Sequence, residues 1–144
     1  GTWRGGREKA PAAISRKVAE AENGGEIEVW GDGSAIRSYT YIDDLVRGIY
    51  VLMQSDLEDP VNIGSTEYVT VDELAQTVIN LSGKDLSIKH IDGPVGVQSR
   101  NFSNDRINSL GWYHQYSLLD GINITYKWVK EEFLEFKADN NHSN

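Results

Sequence analysis

The chain has 144 residues, of which 39% are hydrophobic, and this size suits one globular domain with its own core over residues 1–144. It has no cysteine, and its three histidines lack a metal-ligand spacing, so we expect neither disulfides nor a metal site. The net charge of -8 argues against a nucleic-acid partner, because nucleic acids are bound through excess Lys and Arg. No apolar stretch reaches membrane-span length, and the first residues lack the apolar run of a signal peptide. We therefore expect a soluble, cytoplasmic protein without a membrane partner.

The first 17 residues are locally basic on this acidic chain. They carry one acid, Glu8, and five cations: Arg4, Arg7, Lys9, Arg16 and Lys17. Such a contrast is typical of a place that receives one small anionic ligand. A solvated basic end without a function is the alternative interpretation.

The first third of the chain predicts a helix followed by two strands. Residues 1–8 form a glycine-rich loop, and Pro11 suits the first turn of a helix that stops at residues 23–25. Residues 27–30 predict a short strand, and the glycines of residues 31–34 predict a hairpin turn. The alternating residues 37–42 then predict the returning arm of that hairpin.

The middle of the chain predicts two helices separated by a short strand. Asp43 and Asp44 stand where either can cap a helix that runs to about residue 54. Residues 61–64 have the pattern of a short buried strand. Thr70 and Glu73 form a capping-box pattern before a helix that ends at Gly83.

The last third predicts a strand and two further helices. Residues 86–91 alternate as a half-buried strand, and residues 105–110 predict a short helix. Residues 118–137 predict a long amphipathic helix, and a frayed tail is expected from about residue 139 to 144. The order of these elements indicates an α/β or α+β domain.

A dinucleotide-binding fingerprint is missing from this pattern. No predicted strand is followed by a glycine-rich turn with the required spacing, and the phosphate-binding lysine motif of nucleoside triphosphatases is also absent from the sequence. If the protein needs such a cofactor, we expect this chain not to provide the site.

Four segments resemble extended short-chain dehydrogenase/reductase enzymes that act on nucleotide sugars, and they stand in that family's order: VWGDGSAIRSYTYIDDLVRGI, PVNIGS, TVDELAQTV and LGW. The resemblance implies the C-terminal, substrate-binding part of a Rossmann-type enzyme that lacks most of the Rossmann sheet. In the family, NAD is held by the other half, together with a Tyr-x-x-x-Lys pair. The resemblance therefore also implies that this chain is inactive alone. Residues 61–64 match a strand of the family's cofactor domain, so an unpaired edge could lead to a homodimer or a swapped dimer.

Two segments, GTWRGGREKAPAA and GPVGVQSRNFSND, are more narrowly similar to the branch of this family that epimerises C3 and C5 of a GDP-sugar. In that branch NAD oxidises C4, a cysteine and a lysine then transfer protons at C3 and C5, and C4 is reduced again. The lysine matches Lys9, and the cysteine belongs to the other half. The resemblance also implies a substrate-binding set of Glu8, Lys17, Arg37 and Arg100.

Simple electrostatics adds Arg4 and Arg7 as possible phosphate contacts. Together with Lys9 they crowd the start of a helix, where the dipole disfavours cations. A pyrophosphate would satisfy both the helix amides and these side chains. The same crowding favours Lys9 as a proton donor or acceptor near neutral pH.

Several alternatives remain open. An exposed lysine is the simpler interpretation of Lys9 and Lys17 without the resemblance. Ala35 and Gln98 depart from residues that are typical of the narrower branch, so a 4-epimerase, a 4,6-dehydratase or a decarboxylase of the same family is possible. A third hypothesis is a binding or interaction module that kept the fold and lost the reaction. The four tryptophans are assigned to packing, although Trp30 is expected close to the ligand side.

Overall fold

The computed structural model describes residues 2–94, 96–99 and 101–141. The helices are α1 (Ala10–Glu20), α2 (Ile42–Met53), α3 (Val71–Ser82), α4 (Asp105–Ser109) and α5 (Leu118–Asn141). The strands are β1 (Glu26–Trp30), β2 (Ile36–Ser38), β3 (Tyr68–Thr70) and β4 (Ser87–Ile91). The predicted α/β class is confirmed.

The strands of the described residues form two separate pairs. β1 pairs with β4 in parallel, which sets Ile27 opposite Ile88, and β2 pairs with β3 in antiparallel orientation. The predicted hairpin between β1 and β2 is therefore wrong. The turn between them exists, since the Asp32 carboxylate accepts hydrogen bonds from the Ser34 N–H and hydroxyl, but it leads the chain from one pair to the other. Alternation predicts a strand and does not specify its partner.

Helices α1, α3 and α5 pack together and against the parallel pair. The buried core they form contains Ile14, Val18, Ala19, Ile27, Val29, Leu74, Ala75, Val78, Ile79, Leu86, Ile122 and Tyr126. Each large apolar side chain buried here stabilises the fold by about 1.5–3 kcal/mol relative to exposure. The core thus fixes α1, whose N-terminal end carries the predicted site.

The ends of α3 and α1 are capped by specific side chains. Thr70 and Glu73 form the predicted capping box, and Gly83 ends α3 with a φ of 70°. The Lys84 ammonium donates hydrogen bonds to the carbonyl oxygens of Val18, Ala19 and Ala21 at 2.6–2.9 Å. A cation there satisfies the free carbonyls at the end of α1 and complements the helix dipole.

The two aspartates at the start of α2 are not caps, contrary to the prediction. The N-cap is Tyr41, and it has no side-chain capping bond. Asp44 is buried, and its carboxylate accepts backbone hydrogen bonds from Gln115 and Tyr116 at 2.9 Å. Asp44 therefore ties α2 to the segment before α5, which sequence spacing could not show.

One predicted strand and one predicted helix end also differ from the structure. Residues 61–64 form no strand among the described residues, because no strand within that part of the chain pairs with them. Helix α5 continues past the predicted end at Lys137 to Asn141, so residues 139–141 of the expected tail are helical, and residues 142–144 lie outside the described residues. No helix in the described ranges has the length and hydropathy needed to cross a membrane.

Candidate functional site

A cleft of about 380 Å³ opens beside the N-terminal end of α1, next to β1 and the loop that follows β4. Its apolar lining includes Ile14, Val29 and Val71. Its charged lining consists of Glu8, Lys9, Arg16, Lys17, Glu28 and Arg37. A cavity of this size and mixed lining suits a small molecule with an anionic part. The predicted residues Glu8, Lys9, Lys17 and Arg37 therefore meet at one place.

The backbone before α1 sets Lys9 at the cleft. Gly5 and Gly6 have φ values of 101° and 80°, which L side chains rarely adopt, and they turn the chain toward α1. Lys9 is the N-cap residue of α1 and has no side-chain capping bond, and no acid stands in the first turn. The Lys9 amine has no hydrogen-bond or ion-pair partner in the described part of the chain, so it is available to a ligand.

Glu8 is held rigidly by Arg16. Its side chain is only 3% exposed, and Oε1 accepts hydrogen bonds from Arg16 Nε at 3.1 Å and Nη2 at 2.9 Å. The pKa of Glu8 is lowered by its own backbone N–H and by Arg16, which together outweigh burial. Glu8 is therefore an anion that ties the loop before α1 to the helix itself. Arg16 was not predicted as a site residue. Its position about two helical turns after Glu8 was the sequence feature that indicated a contact between these two side chains.

Lys17 links α1 to β1 at the cleft wall. Its ammonium donates a 2.6 Å hydrogen bond to the carbonyl oxygen of Glu28. Burial lowers the pKa of Lys17, while the nearby Glu28 carboxylate opposes that change. An ammonium with one protein acceptor retains two further donors for a ligand.

Arg37 and Tyr39 form the opposite side of the cleft. Arg37 Nη1 donates to the carbonyl oxygens of Ile36 at 2.7 Å and Gln98 at 3.3 Å, so this arginine also holds the loop after β4. The Tyr39 hydroxyl is buried and has no partner among the described residues, and burial raises its pKa. Sequence analysis missed Tyr39. The available signal was its alternation with Arg37, which sets both side chains on one face of the extended chain.

A second concavity adjoins the cleft. It is lined by Lys9, Ala10, Pro11, Arg37, Ser38, Tyr39 and Thr40, and it has a volume of about 460 Å³. Lys9, Ala10, Arg37 and Tyr39 line both spaces, so the two concavities meet at these residues. The combined groove provides room for an elongated ligand, with Lys9 and Arg37 at its middle.

Two of the predicted arginines, Arg4 and Arg7, do not line the cleft, and the placement of a third is not described. The Arg4 guanidinium lies 3.9 Å from the Phe136 ring centroid, against α5, and Arg4 does not line the cleft, so its role as a phosphate contact stays a prediction. Arg7 is exposed and lies outside the cleft lining, and Arg100 is outside the described residues. Of the three cations that were expected at the start of α1, Lys9 is the one that lines the cleft.

Trp30 contributes to the cleft as well as to packing. Its side chain is 55% exposed and lines the cavity, in agreement with its expected place close to the ligand side. A Cβ atom added at Gly93 would lie 2.6 Å from Trp30 Cγ, so the loop after β4 approaches this ring as closely as glycine permits. The exposed indole offers a flat surface on which a ring of a ligand can stack.

The described residues do not fit an NAD site. Such sites set a glycine-rich turn between a parallel strand and the N-terminus of a helix. The glycine turn after β1 leads instead to β2, and the Asp72 carboxylate occupies the space that a Cβ at Gly33 would need. A carboxylate at that turn would repel a pyrophosphate. Within the same described ranges, no group of three or more His, Cys, Asp or Glu residues is arranged for a metal ion.

Solved structures define the class of protein. The UDP-glucose 4-epimerase of Thermotoga maritima, solved with UDP-glucose, has a TM-score of 0.81 and 25% identity, over 89% of this chain and 41% of that chain. The UDP-glucuronic acid 4-epimerase of Bacillus cereus, solved with UDP-glucuronic acid and NAD, has a TM-score of 0.76 and 22% identity, over 86% of this chain and 40% of that chain. The second likeness concerns the fold alone. Both indicate part of an extended short-chain dehydrogenase/reductase fold.

Sequence relatives define the family. Residues 1–64 match the model of the NAD dependent epimerase/dehydratase family. GDP-mannose 3,5-epimerase of Arabidopsis thaliana is 48% identical over 139 residues, which are 96% of this chain and 36% of the relative. The dTDP-4-dehydro-6-deoxy-D-allose reductase of Streptomyces bikiniensis is 33% identical over 118 residues, or 81% of this chain and 36% of the relative. These matches confirm the predicted resemblance to the NAD-dependent epimerase/dehydratase family, and the chain spans about 36% of the length of these relatives.

Proposed function

We propose that this chain forms the nucleotide-sugar-binding part of an NAD-dependent epimerase most similar to GDP-mannose 3,5-epimerase. In this proposal the cleft holds a GDP-sugar, and Lys9 transfers a proton at a ring carbon of the sugar. The chain needs a cofactor-binding part for the complete reaction, since its described residues do not fit NAD. The observation that carries the proposal is the unpartnered Lys9 amine, which shares one cleft with Lys17, Arg37 and the Tyr39 hydroxyl.

The charges of the cleft favour a diphosphate. Lys9, Lys17 and Arg37 line it, whereas Glu8 is already paired with Arg16 and so opposes an anion less than a free carboxylate would. A planar guanidinium such as Arg37 can bind two phosphate oxygens. The exposed ring of Trp30 on the same cleft suits a stacked base or sugar.

Sequence identity is higher with the relatives named for GDP-mannose, which supports guanine as the base of the ligand. Sequence identity is 48% with the Arabidopsis GDP-mannose 3,5-epimerase and 47% with GDP-mannose 3,5-epimerase 1 of Oryza sativa subsp. japonica. It falls to 33% with the reductase named for a dTDP-sugar. GDP-mannose is therefore the first ligand to test.

The binding claim is tested with saturation-transfer NMR and calorimetry on the chain as it stands. GDP-mannose, UDP-glucose and dTDP-glucose are compared. We expect GDP-mannose to bind and Arg37→Met to weaken it by about tenfold, the loss of a charge-assisted hydrogen bond. Lys127→Met on the exposed surface of α5 is the matched control and should leave binding unchanged. Binding of UDP-glucose or dTDP-glucose without GDP-mannose would assign the chain to another branch of the family.

The catalytic claim is tested by supplying the part of the Arabidopsis relative that this chain does not match, in one fused polypeptide. We expect the fusion to exchange the C3 and C5 hydrogens of GDP-mannose with D₂O in the presence of NAD, and the chain alone to exchange none. Lys9→Met should reduce exchange by about 10²–10⁴-fold while GDP-mannose still binds. Turnover by the chain alone would contradict the proposed division of labour. A fusion that binds GDP-mannose without exchange would support a non-catalytic binding module.

A further inference from the structure

Three residues of the loop after β4 separate the cleft from a further concavity. This concavity has a volume of about 460 Å³, and Tyr68 and Phe102 are part of its lining. Arg37 and Gly96 line both this concavity and the cleft, so the two spaces meet along residues 96–98. We call residues 96–98 the strap. Moving the strap away from β2 would join the two spaces and open the cleft on this side.

The side chain of Gln98 ties the strap to the turn after β1. Its Nε2 donates a 3.0 Å hydrogen bond to the Ser34 hydroxyl, which in turn donates to Asp32 Oδ1 at 2.7 Å. The Ser34 hydroxyl and N–H lower the pKa of Asp32, so this carboxylate stays an acceptor. Because Ser34 donates its one hydroxyl proton to Asp32, its oxygen lone pairs are free to accept from Gln98. The three side chains thus form one directed chain of hydrogen bonds from the turn to the strap.

The backbone of Gln98 ties the strap to β2 and to Arg37. Its carbonyl oxygen accepts a 2.8 Å hydrogen bond from the Ile36 N–H and a 3.3 Å bond from Arg37 Nη1. Nη1 also donates to the Ile36 carbonyl oxygen at 2.7 Å, so both of its protons are used. Among the described residues, Nε and Nη2 of Arg37 have no acceptor, and a Cβ added at Gly96 would lie 3.4 Å from Nη2. The strap therefore fixes one nitrogen of this guanidinium and leaves the other two to a ligand.

We propose that Gln98 is a positioning residue, which holds the strap against β2 and so orients the Arg37 guanidinium toward an anion in the cleft. This inference rests on the proposed function, because the anion is taken to be the diphosphate of a nucleotide sugar. Within the described ranges, Gln98 makes every hydrogen bond of the strap. Loss of its amide leaves two bonds to its carbonyl oxygen, and the one from Arg37 is long at 3.3 Å. The guanidinium then loses its fixed direction, although no cation has been removed from the cleft.

The first test needs no ligand. Gln98→Leu removes the amide and keeps a side chain of similar size, and the matched control Gln76→Leu removes an exposed amide of α3 that donates to Asn80 at 2.9 Å. We expect the Ile36 amide to exchange with D₂O about fivefold faster in Gln98→Leu, because its acceptor moves with the strap. Gln76→Leu should leave this rate unchanged. Both glutamines are exposed, so thermal unfolding of both variants should match that of the unmodified chain. An unchanged Ile36 exchange rate in Gln98→Leu would overturn the proposal.

The second test measures anion binding by calorimetry, with pyrophosphate and GDP-mannose as the probes. Gln98→Leu should bind both about fivefold more weakly than the unmodified chain, and Gln76→Leu should stay within about twofold of it. Arg37→Met provides the background that separates positioning from packing. Because Gln98 acts through Arg37, Gln98→Leu should add less than about a twofold loss when residue 37 is already Met. An equal loss in both backgrounds would show a merely structural contribution and would overturn the proposal.

Failure of this inference and failure of the proposed function give different results. If GDP-mannose binds and Gln98→Leu leaves its affinity unchanged, the positioning role is wrong and the proposed function stands. If pyrophosphate binds with the expected dependence on Gln98 and Arg37 while GDP-mannose does not bind, the nucleotide sugar is wrong and the positioning role stands. A chain that binds neither anion overturns both.

Discussion

Replacing Arg16 with Met should destabilise the chain through Glu8. The Glu8 side chain is 3% exposed and Arg16 is 23% exposed, so the variant leaves a nearly buried carboxylate without its guanidinium partner. Removing one member of a buried pair costs about 3–5 kcal/mol. Arg16 is partly solvated, so we expect a smaller loss of about 2 kcal/mol in the free energy of unfolding. Methionine retains the apolar stem and isolates the charge effect.

The assay is urea unfolding at pH 7, with thermal unfolding as a second measure. A loss of about 2 kcal/mol should lower the melting temperature by roughly 6 °C for a domain of this size. Glu20→Gln is the control, because Glu20 is the second partner of Arg16 and its side chain is 41% exposed. This variant should cost less than about 0.5 kcal/mol. If Arg16→Met changes stability no more than Glu20→Gln does, the Glu8 pair does not hold the loop that carries Lys9.

The same pair predicts a pH dependence. The folded-state pKa of Glu8 lies below its ordinary value of 4.5, so its contribution is fully present above pH 4.5 and is lost as the pH falls through the folded pKa. The difference in stability between the unmodified chain and Arg16→Met should therefore shrink below about pH 4.5. A difference that is constant from pH 7 to pH 3 would refute this reasoning.

Three further substitutions test the framework of the site. Asp44→Asn should lower the free energy of unfolding by about 2–4 kcal/mol in urea, because the buried carboxylate accepts two backbone N–H groups, whereas the exposed Asp43→Asn should cost less than about 0.5 kcal/mol. Gly93→Ala should shift the tryptophan emission, because the added Cβ displaces Trp30. The shift should vanish when Trp30 is replaced by Phe. A shift that persists without Trp30 would contradict this contact. Lys84→Met should cost about 1–2 kcal/mol in thermal unfolding, since its ammonium binds two carbonyl oxygens of α1 and that of Ala21, the residue after the helix. A cost below about 0.3 kcal/mol would show that these bonds contribute little.

Local sequence signals were sufficient for the helices and for β1, β2 and β4, but they predicted a strand at residues 61–64 that does not form and they missed β3. The capping box of Thr70 and Glu73 and the stop at Gly83 depend on neighbouring residues only, and the structure contains both. The partner of β1 could not be predicted in the same way, because Ile27 pairs with Ile88, and β2, α2, β3 and α3 lie between them in the sequence. Periodicity carries no information about such distant pairing.

The candidate site was also predicted only in part, because local sequence signals do not show contacts between distant residues. Glu8 and Lys9 belong to one short motif, and the resemblance linked them to Lys17 and Arg37. Arg4 was expected beside Lys9, but two glycines with positive φ lie between them, and the Arg4 guanidinium contacts Phe136 instead. Tyr39 and Arg16 were not assigned, since their roles depend on burial and on contacts across the cleft.

The most direct test of the proposed cleft is the NMR signal of Lys9 during a titration with GDP-mannose. Lysines are labelled by ¹³C reductive methylation, which retains their charge, and the Lys9 signal is assigned with Lys9→Arg. The proposal predicts that GDP-mannose shifts the Lys9 signal in a saturable manner, while the signal of Lys127 on α5 stays in place. Saturable binding of GDP-mannose that leaves the Lys9 signal unchanged would contradict the central claim that this cleft holds the nucleotide sugar.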